Sequence, residues 1–161
     1  MNRGKQFEIQ FRKNFRESFP QSFCYRLPDQ VSGYHNSKNV CDFICFNKDT
    51  LYLLEIKTHQ GNTFPFQNLS QYEYLLSYKN LPGIVIGVIL WMIDHDTIIF
   101  LPIQTIEKMK SDKKKSFNIK DVLSSDYNII IIPVKKKRVF LEADYNILYS
   151  YYKEANNKNN G

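Results

Sequence analysis

Residues 41–58 read CDFICFNKDTLYLLEIKT, from Cys41 to Thr58, and their pattern decides the fold. Two strand-like runs, residues 41–46 and 51–58, flank the polar turn Asn47-Lys48-Asp49-Thr50, which predicts a β-hairpin. Pairing across that turn sets Phe46 opposite Leu51, Ile44 opposite Leu53 and Asp42 opposite Glu55. Side chains alternate along a strand, so Leu51, Leu53, Glu55 and Lys57 share one face. Directly opposed residues have Cβ atoms about 4.5–5.5 Å apart, and like charges at that distance repel. Three charged groups therefore converge at one end of an otherwise apolar hairpin.

Two facing carboxylates at the rim of a core need compensation. A hard divalent cation supplies it, because magnesium and manganese prefer carboxylate oxygens. Such an ion polarises a phosphoryl oxygen and lowers the pKa of a bound water, and Lys57 is placed to orient that water or stabilise developing charge. The bland alternative is an ordinary Glu55–Lys57 ion pair, since D-x(12)-E-x-K also arises by chance. A slipped register would part Asp42 from Glu55.

Outward from the hairpin, Phe7, Phe11, Phe15 and Phe19 recur every fourth residue and predict a helix over residues 5–19, stopped by Pro20. Residues 25–39 read as loop with room for a short extended piece. A second helix is expected over residues 71–79, with Ser70 as N-cap, Glu73 closing a capping box and Leu69 stapled to Tyr74. Residues 84–93 are wholly apolar and predict a central strand. Strands at 98–102, 129–134 and 139–141 follow, with a helix near 105–110, a helical turn near 119–123 and a last helix at 144–152. The expected organisation is one α/β domain over residues 1–152, a mixed sheet flanked by helices, then a disordered polar tail at 153–161.

The chain has 161 residues, 43% hydrophobic and 15% aromatic, which describes a globular protein. Its longest apolar run is about half a membrane span, and the N-terminus lacks a signal-peptide layout, so no membrane role is expected. Cys24, Cys41 and Cys45 form no CxxC pair, in keeping with a reducing cytoplasm and buried thiols. His35, His59 and His95 have no zinc-ligand spacing, and no phosphate-binding glycine loop occurs. The net charge is +6, concentrated near residues 3–16, 108–115 and 135–138. Converging clusters of this kind track a phosphate backbone, and Lys113, Lys114 and Lys115 are candidate DNA contacts. Glu8 either points toward the carboxylates or pairs with Arg12 at i+4.

Several of these segments together resemble the RecU-type Holliday junction resolvases. The resemblance runs from about Asn2 to Val122. It rests on Asn2-Arg3-Gly4-Lys5 with Glu8, on Cys41-Asp42-Phe43, on Glu55-Ile56-Lys57-Thr58, on Thr63-Phe64-Pro65-Phe66-Gln67-Asn68 and on Lys115-Ser116, in that order. It implies a homodimeric nuclease of the PD-(D/E)XK, or restriction-endonuclease-like, fold that makes paired magnesium-dependent nicks in four-way DNA junctions, with manganese as a substitute. Asp42 and Glu55 would then be metal ligands, Lys57 the catalytic lysine and Glu8 a first-helix acidic residue of the site. Arg3, Lys5 and Arg26 would contact phosphates. Three departures stand out. Residues 25–40 are too short to build the stalk of that family, Cys41 replaces the usual threonine, and Glu73 stands where a glutamine is expected, with Gln71 two residues earlier. Glu73 is thus a candidate third metal ligand as well as a candidate cap. Two other readings remain: a nuclease of the same fold acting on other DNA, and a DNA-binding recombination-accessory protein that does not cut.

Overall fold

A computed structural model describes residues 2–29 and 38–161. Residues 30–37 of the expected loop, His35 among them, lie outside the described residues. Helix α1 (Arg3–Ser18) starts where Asn2 Oδ1 accepts the Lys5 amide at 2.8 Å. The strands are β1 (Phe23–Arg26), β2 (Phe43–Asn47), β3 (Thr50–His59), β4 (Thr63–Pro65), β5 (Ile84–Met92), β6 (Thr97–Pro102), β7 (Ser116–Asn118), β8 (Ile130–Ile131), β9 (Val134–Lys136) and β10 (Leu141–Ala143). The remaining helices are α2 (Tyr72–Leu76), α3 (Ile103–Ser111) and α4 (Asn146–Asn159).

Six strands form one mixed sheet in the order β1-β2-β3-β5-β6-β8. β3 and β5 run parallel at its centre, and the other neighbours are antiparallel. β9 with β10, and β4 with β7, make two small antiparallel ribbons. The alternation of β3 sorts its side chains into two cores. Tyr52, Leu54 and Ile56 join the α1 phenylalanine stripe and Tyr145 and Leu148 on one face. Leu53, Val88 and Leu90 join Tyr72 and Leu75 of α2 and Ile106 and Met109 of α3 on the other. Helices therefore cover both faces, as the expected α/β sandwich requires.

The phenylalanine stripe is buried along its length, and the Phe11 ring lies 5.0 Å from both Phe43 and Tyr145. Each such ring contributes on the order of 2 kcal/mol by burial alone. At the sheet centre Gly87 permits a close approach. A methyl group there would stand 2.3 Å from the Leu101 carbonyl and 2.4 Å from the Phe100 ring.

The extended piece allowed for at the start of the loop is an edge strand over residues 23–26, and its Cys24 faces Cys45 with the two free thiols 3.4 Å apart. Three expectations are corrected. Helix α2 is shorter than residues 71–79 and starts without a side-chain cap, so Ser70 and Glu73 make no capping box. Tyr74 faces solvent against Tyr78 while Leu69 is buried, so no staple forms. Helix α4 continues to Asn159 instead of ending at Tyr152. Lys153 reaches from it to Asp49 in the β2–β3 turn at 2.7 Å.

Candidate active site

The hairpin register is the one the turn predicts. Asn47 pairs with Thr50, Phe46 with Leu51 and Phe43 with Leu54, and Lys48 takes a left-handed φ of 57° to close the turn. Asp42 stands one residue ahead of β2, and its amide still donates to Leu54 O at 3.2 Å. Continuing the register sets Asp42 across from Glu55. One Asp42 oxygen accepts the Ile56 amide at 2.8 Å, which fixes the carboxylate against the edge of β3. From the other side, the Leu27 amide donates to Asp42 O at 2.9 Å.

Glu55 is only 9% exposed. Burial pushes its carboxyl up to about 8, reinforced by the Asp42 charge and by a hydrogen bond between the two carboxyls. Lys57 Nζ lies 3.7 Å from Glu55 Oε2 and pulls in the opposite direction without cancelling the rise. A carboxyl held protonated near neutral pH beside a second carboxylate is an under-compensated arrangement. Hard oxygen donors in this state fit a divalent cation such as magnesium or manganese, which takes one or two carboxylates and fills its shell with water and phosphate. Cys41 does not fit as a further ligand. Burial, with Glu55 nearby, pushes its thiol up to about 12, and its Sγ donates to Phe43 O at 3.2 Å.

The other site candidates are distributed around this pair. Glu8 pairs with Arg26 Nε and not with Arg12, and Nη2 of the same guanidinium holds Asp29 at 3.1 Å. Arg26 is opposite Phe43, on the α1 side of the sheet, and Glu8 with Asp29 raises its pKa. Arg26 thus pairs with two carboxylates in this structure. Its Nη1 donates to Leu27 O at 3.0 Å, so the cluster braces the segment that holds Asp42. Among the described residues no group of three histidine, cysteine or acidic side chains is arranged to hold a metal, and Glu73 is not among the groups that act on Glu55.

Glu73 instead lines a cleft of about 810 Å³ with Lys110, Lys113, Lys114 and Lys115. The walls of this cleft include Thr63, Phe66 and Gln67 of the Thr63–Asn68 segment, brought there by the pairing of β4 with β7. Phe66 and Tyr72 belong to the core on the Glu55–Lys57 face of the sheet, so the lysines flank the carboxylates on that face. Lys110, a member of the second basic cluster of the sequence, lies over the Tyr72 ring at 3.7 Å. Arg3 and Lys5 are exposed in the first turn of α1. Arg3 lines a second cleft, of about 480 Å³, with Lys136, Lys137 and Arg138. Arg3 of the first basic cluster thus meets Lys136, Lys137 and Arg138 of the third on one concavity, which the run of cations at 135–138 foreshadows without giving its partner.

A search of curated proteins finds no match. Among solved structures, the Holliday junction resolvase Hjc of Archaeoglobus fulgidus is similar at 20% identity and a TM-score of 0.48, over 63% of this chain and 78% of that one. No helix among the described residues is long and apolar enough to cross a membrane. A family model described as Recombination protein U, RecU, matches residues 12–143. That span takes in the hairpin, both facing carboxylates, the Thr63–Asn68 segment and the lysine-lined cleft, and over so much of its length the chain belongs to the RecU family.

Proposed function

We propose that this RecU-family chain is a metal-dependent DNA endonuclease that cuts four-way junctions during recombination, acting in the cytoplasm where the DNA lies. The observation that carries the reading is the half-buried Asp42 across from the buried Glu55 with Lys57 beside it, at one end of the central strands, with a lysine-lined cleft on the same face of the sheet. Asp42 and Glu55 would hold magnesium or manganese. The ion, when bound, supplies positive charge to the phosphodiester and acidifies a water.

The chain's own groups divide the remaining work. The Ile56 amide keeps Asp42 oriented, so the ligand geometry is set before substrate arrives. Lys57, about one-third exposed, presents an ammonium where the attacking water or the charge building on phosphate can meet it. Glu8 and Arg26 act at one remove, by bracing the Leu27–Asp42 contact. Lys113, Lys114 and Lys115 lie along the same face as donors to phosphate. Symmetric cuts in a junction need two sites at fixed separation, which a twofold homodimer provides.

The test is cleavage of an immobile four-way junction and a matching linear duplex, each with magnesium and with chelator. Paired nicks on the junction alone, and only with metal, are expected. Cutting of both substrates would keep the nuclease and remove the junction preference. Tight binding without cutting under any divalent metal would overturn the enzymatic reading in favour of a DNA-binding accessory role.

A further inference from the structure

The β9–β10 ribbon belongs to neither the main sheet nor the site. Its base is fixed: Leu141 and Ala143 are buried, and Asn14, itself buried on α1, accepts the Ala143 amide at 3.0 Å. Its outer part is exposed from Pro133 to Val139, and the stretch Pro133–Phe140 carries four cations and no acid. A rigid base with a basic, solvated tip is unusual for a ribbon that serves only to cover a core.

The charges on this ribbon are not used up internally. Lys136 pairs with Asp96 and Lys137 with Glu142 at 3.0 Å, but both pairs are largely exposed and contribute little to stability. Arg138 forms no ion pair among the described residues, and neither does Arg3 across the cleft. Trp91 lies between them in the lining. In the β3–β5 register Trp91 is beside Thr58, the residue after Lys57, so the cleft opens at the same end of the sheet as the carboxylates. Trp91 packs on Phe7, which puts the cleft on the α1 side, whereas the lysine-lined cleft is on the other side.

We propose that the β9–β10 ribbon and Arg3 form a second DNA-binding surface that grips the phosphate backbone of one duplex arm leaving the cut site. The inference rests on the nuclease reading for its direction, but not for its test. Guanidinium and ammonium groups spaced around a concave surface match a row of phosphates. Exposed ion pairs with Asp96 and Glu142 exchange for phosphate contacts at small cost. With basic clefts on both faces of one sheet end, DNA is held on either side of Asp42 and Glu55.

The test uses the full chain with Lys136→Gln and Arg138→Gln together, both on the exposed ribbon. Binding to a four-way junction and to a duplex is followed by anisotropy over a range of salt, in chelator so that nothing is cut. The slope of log affinity against log salt is expected to fall by about 1.8, for two lost phosphate contacts, with affinity about tenfold weaker at moderate salt. A control pair, Lys153→Ala with Lys158→Ala on α4, should match the wild type. Equal affinity and slope in the ribbon variant and the wild type would overturn the proposal while leaving the nuclease reading intact. Failure of the wild type to bind either DNA would overturn both. A wild type that binds in chelator but does not cut the junction in a parallel reaction with magnesium would sink the nuclease reading alone.

Discussion

Asp42→Asn is expected to lower the cleavage rate by about three powers of ten, roughly 4 kcal/mol, without loss of fold or of DNA binding. Asparagine keeps the shape of the side chain and an oxygen to accept the Ile56 amide, so the edge of β3 stays in place. What it loses is the charge that pairs with a cation. Removing a negative group that faces phosphate leaves DNA affinity in chelator equal to or above that of the wild type. Single-turnover cleavage of a junction, with binding measured in parallel, separates the two effects. A variant that cuts within tenfold of the wild type would remove Asp42 from the site.

The second large effect is on stability against pH. In the folded chain Glu55 is pushed up to about 8, from an ordinary value of 4.5, chiefly by burial and then by Asp42. The folded state therefore binds this proton more tightly than the unfolded chain does. The resulting stabilisation is fully present below about pH 4.5 and is lost as pH rises toward about 8. On this ground alone, metal-free protein should lose on the order of 5 kcal/mol over that window, or roughly 10–20 °C in Tm. Glu55→Gln cannot ionise and should flatten that part of the curve. Magnesium added near pH 8 should return the lost stability to the wild type and not to the variant. Parallel wild-type and variant curves in thermal melts would show that Glu55 is not the group responsible.

Much of the site was legible because a hairpin is a local object. A four-residue turn between two apolar runs fixes the register, and the register alone sets Asp42 across from Glu55 with Lys57 on the same face. The phenylalanine stripe of α1 was equally readable, since its period of four matches a buried helix face. The order of strands beyond the hairpin was not readable. β1 was legible only as a short extended piece, because it is an edge strand whose Phe23 and Tyr25 face solvent and stack on each other. The pairing of β4 with β7 joins segments some fifty residues apart, and only that pairing brings Lys113–Lys115 to Phe66.

The failures at α2 and α4 have local causes too. The Ser70-x-x-Glu73 pattern suggests a cap, but Phe66–Asn68 forms a 3-10 turn and the Tyr72 amide bonds back to Leu69 O at 3.3 Å. The chain thus enters the helix through backbone turns and needs no side-chain cap. The polar end of α4 carries a weak apolar signal, yet Lys153 bonds Asp49 and lies over the Tyr149 and Tyr152 rings. Arg26 shows the same limit from the other direction: its charge is visible in sequence, but its use on Glu8 and Asp29 depends on how α1 lies against β1.

The central claim is that Asp42 and Glu55 together bind a divalent cation, and calorimetric titration of manganese near pH 7 into wild type and Asp42→Asn tests it most directly. The account predicts binding to the wild type with release of a proton, because Glu55 must ionise to become a ligand. Repeating the titration in two buffers of different ionisation heat reads that proton. The Asp42→Asn protein should bind at least about tenfold more weakly, a loss of roughly 1.4 kcal/mol or more. Equal affinity in the two proteins, or binding with no proton released, would contradict the account and place the metal elsewhere.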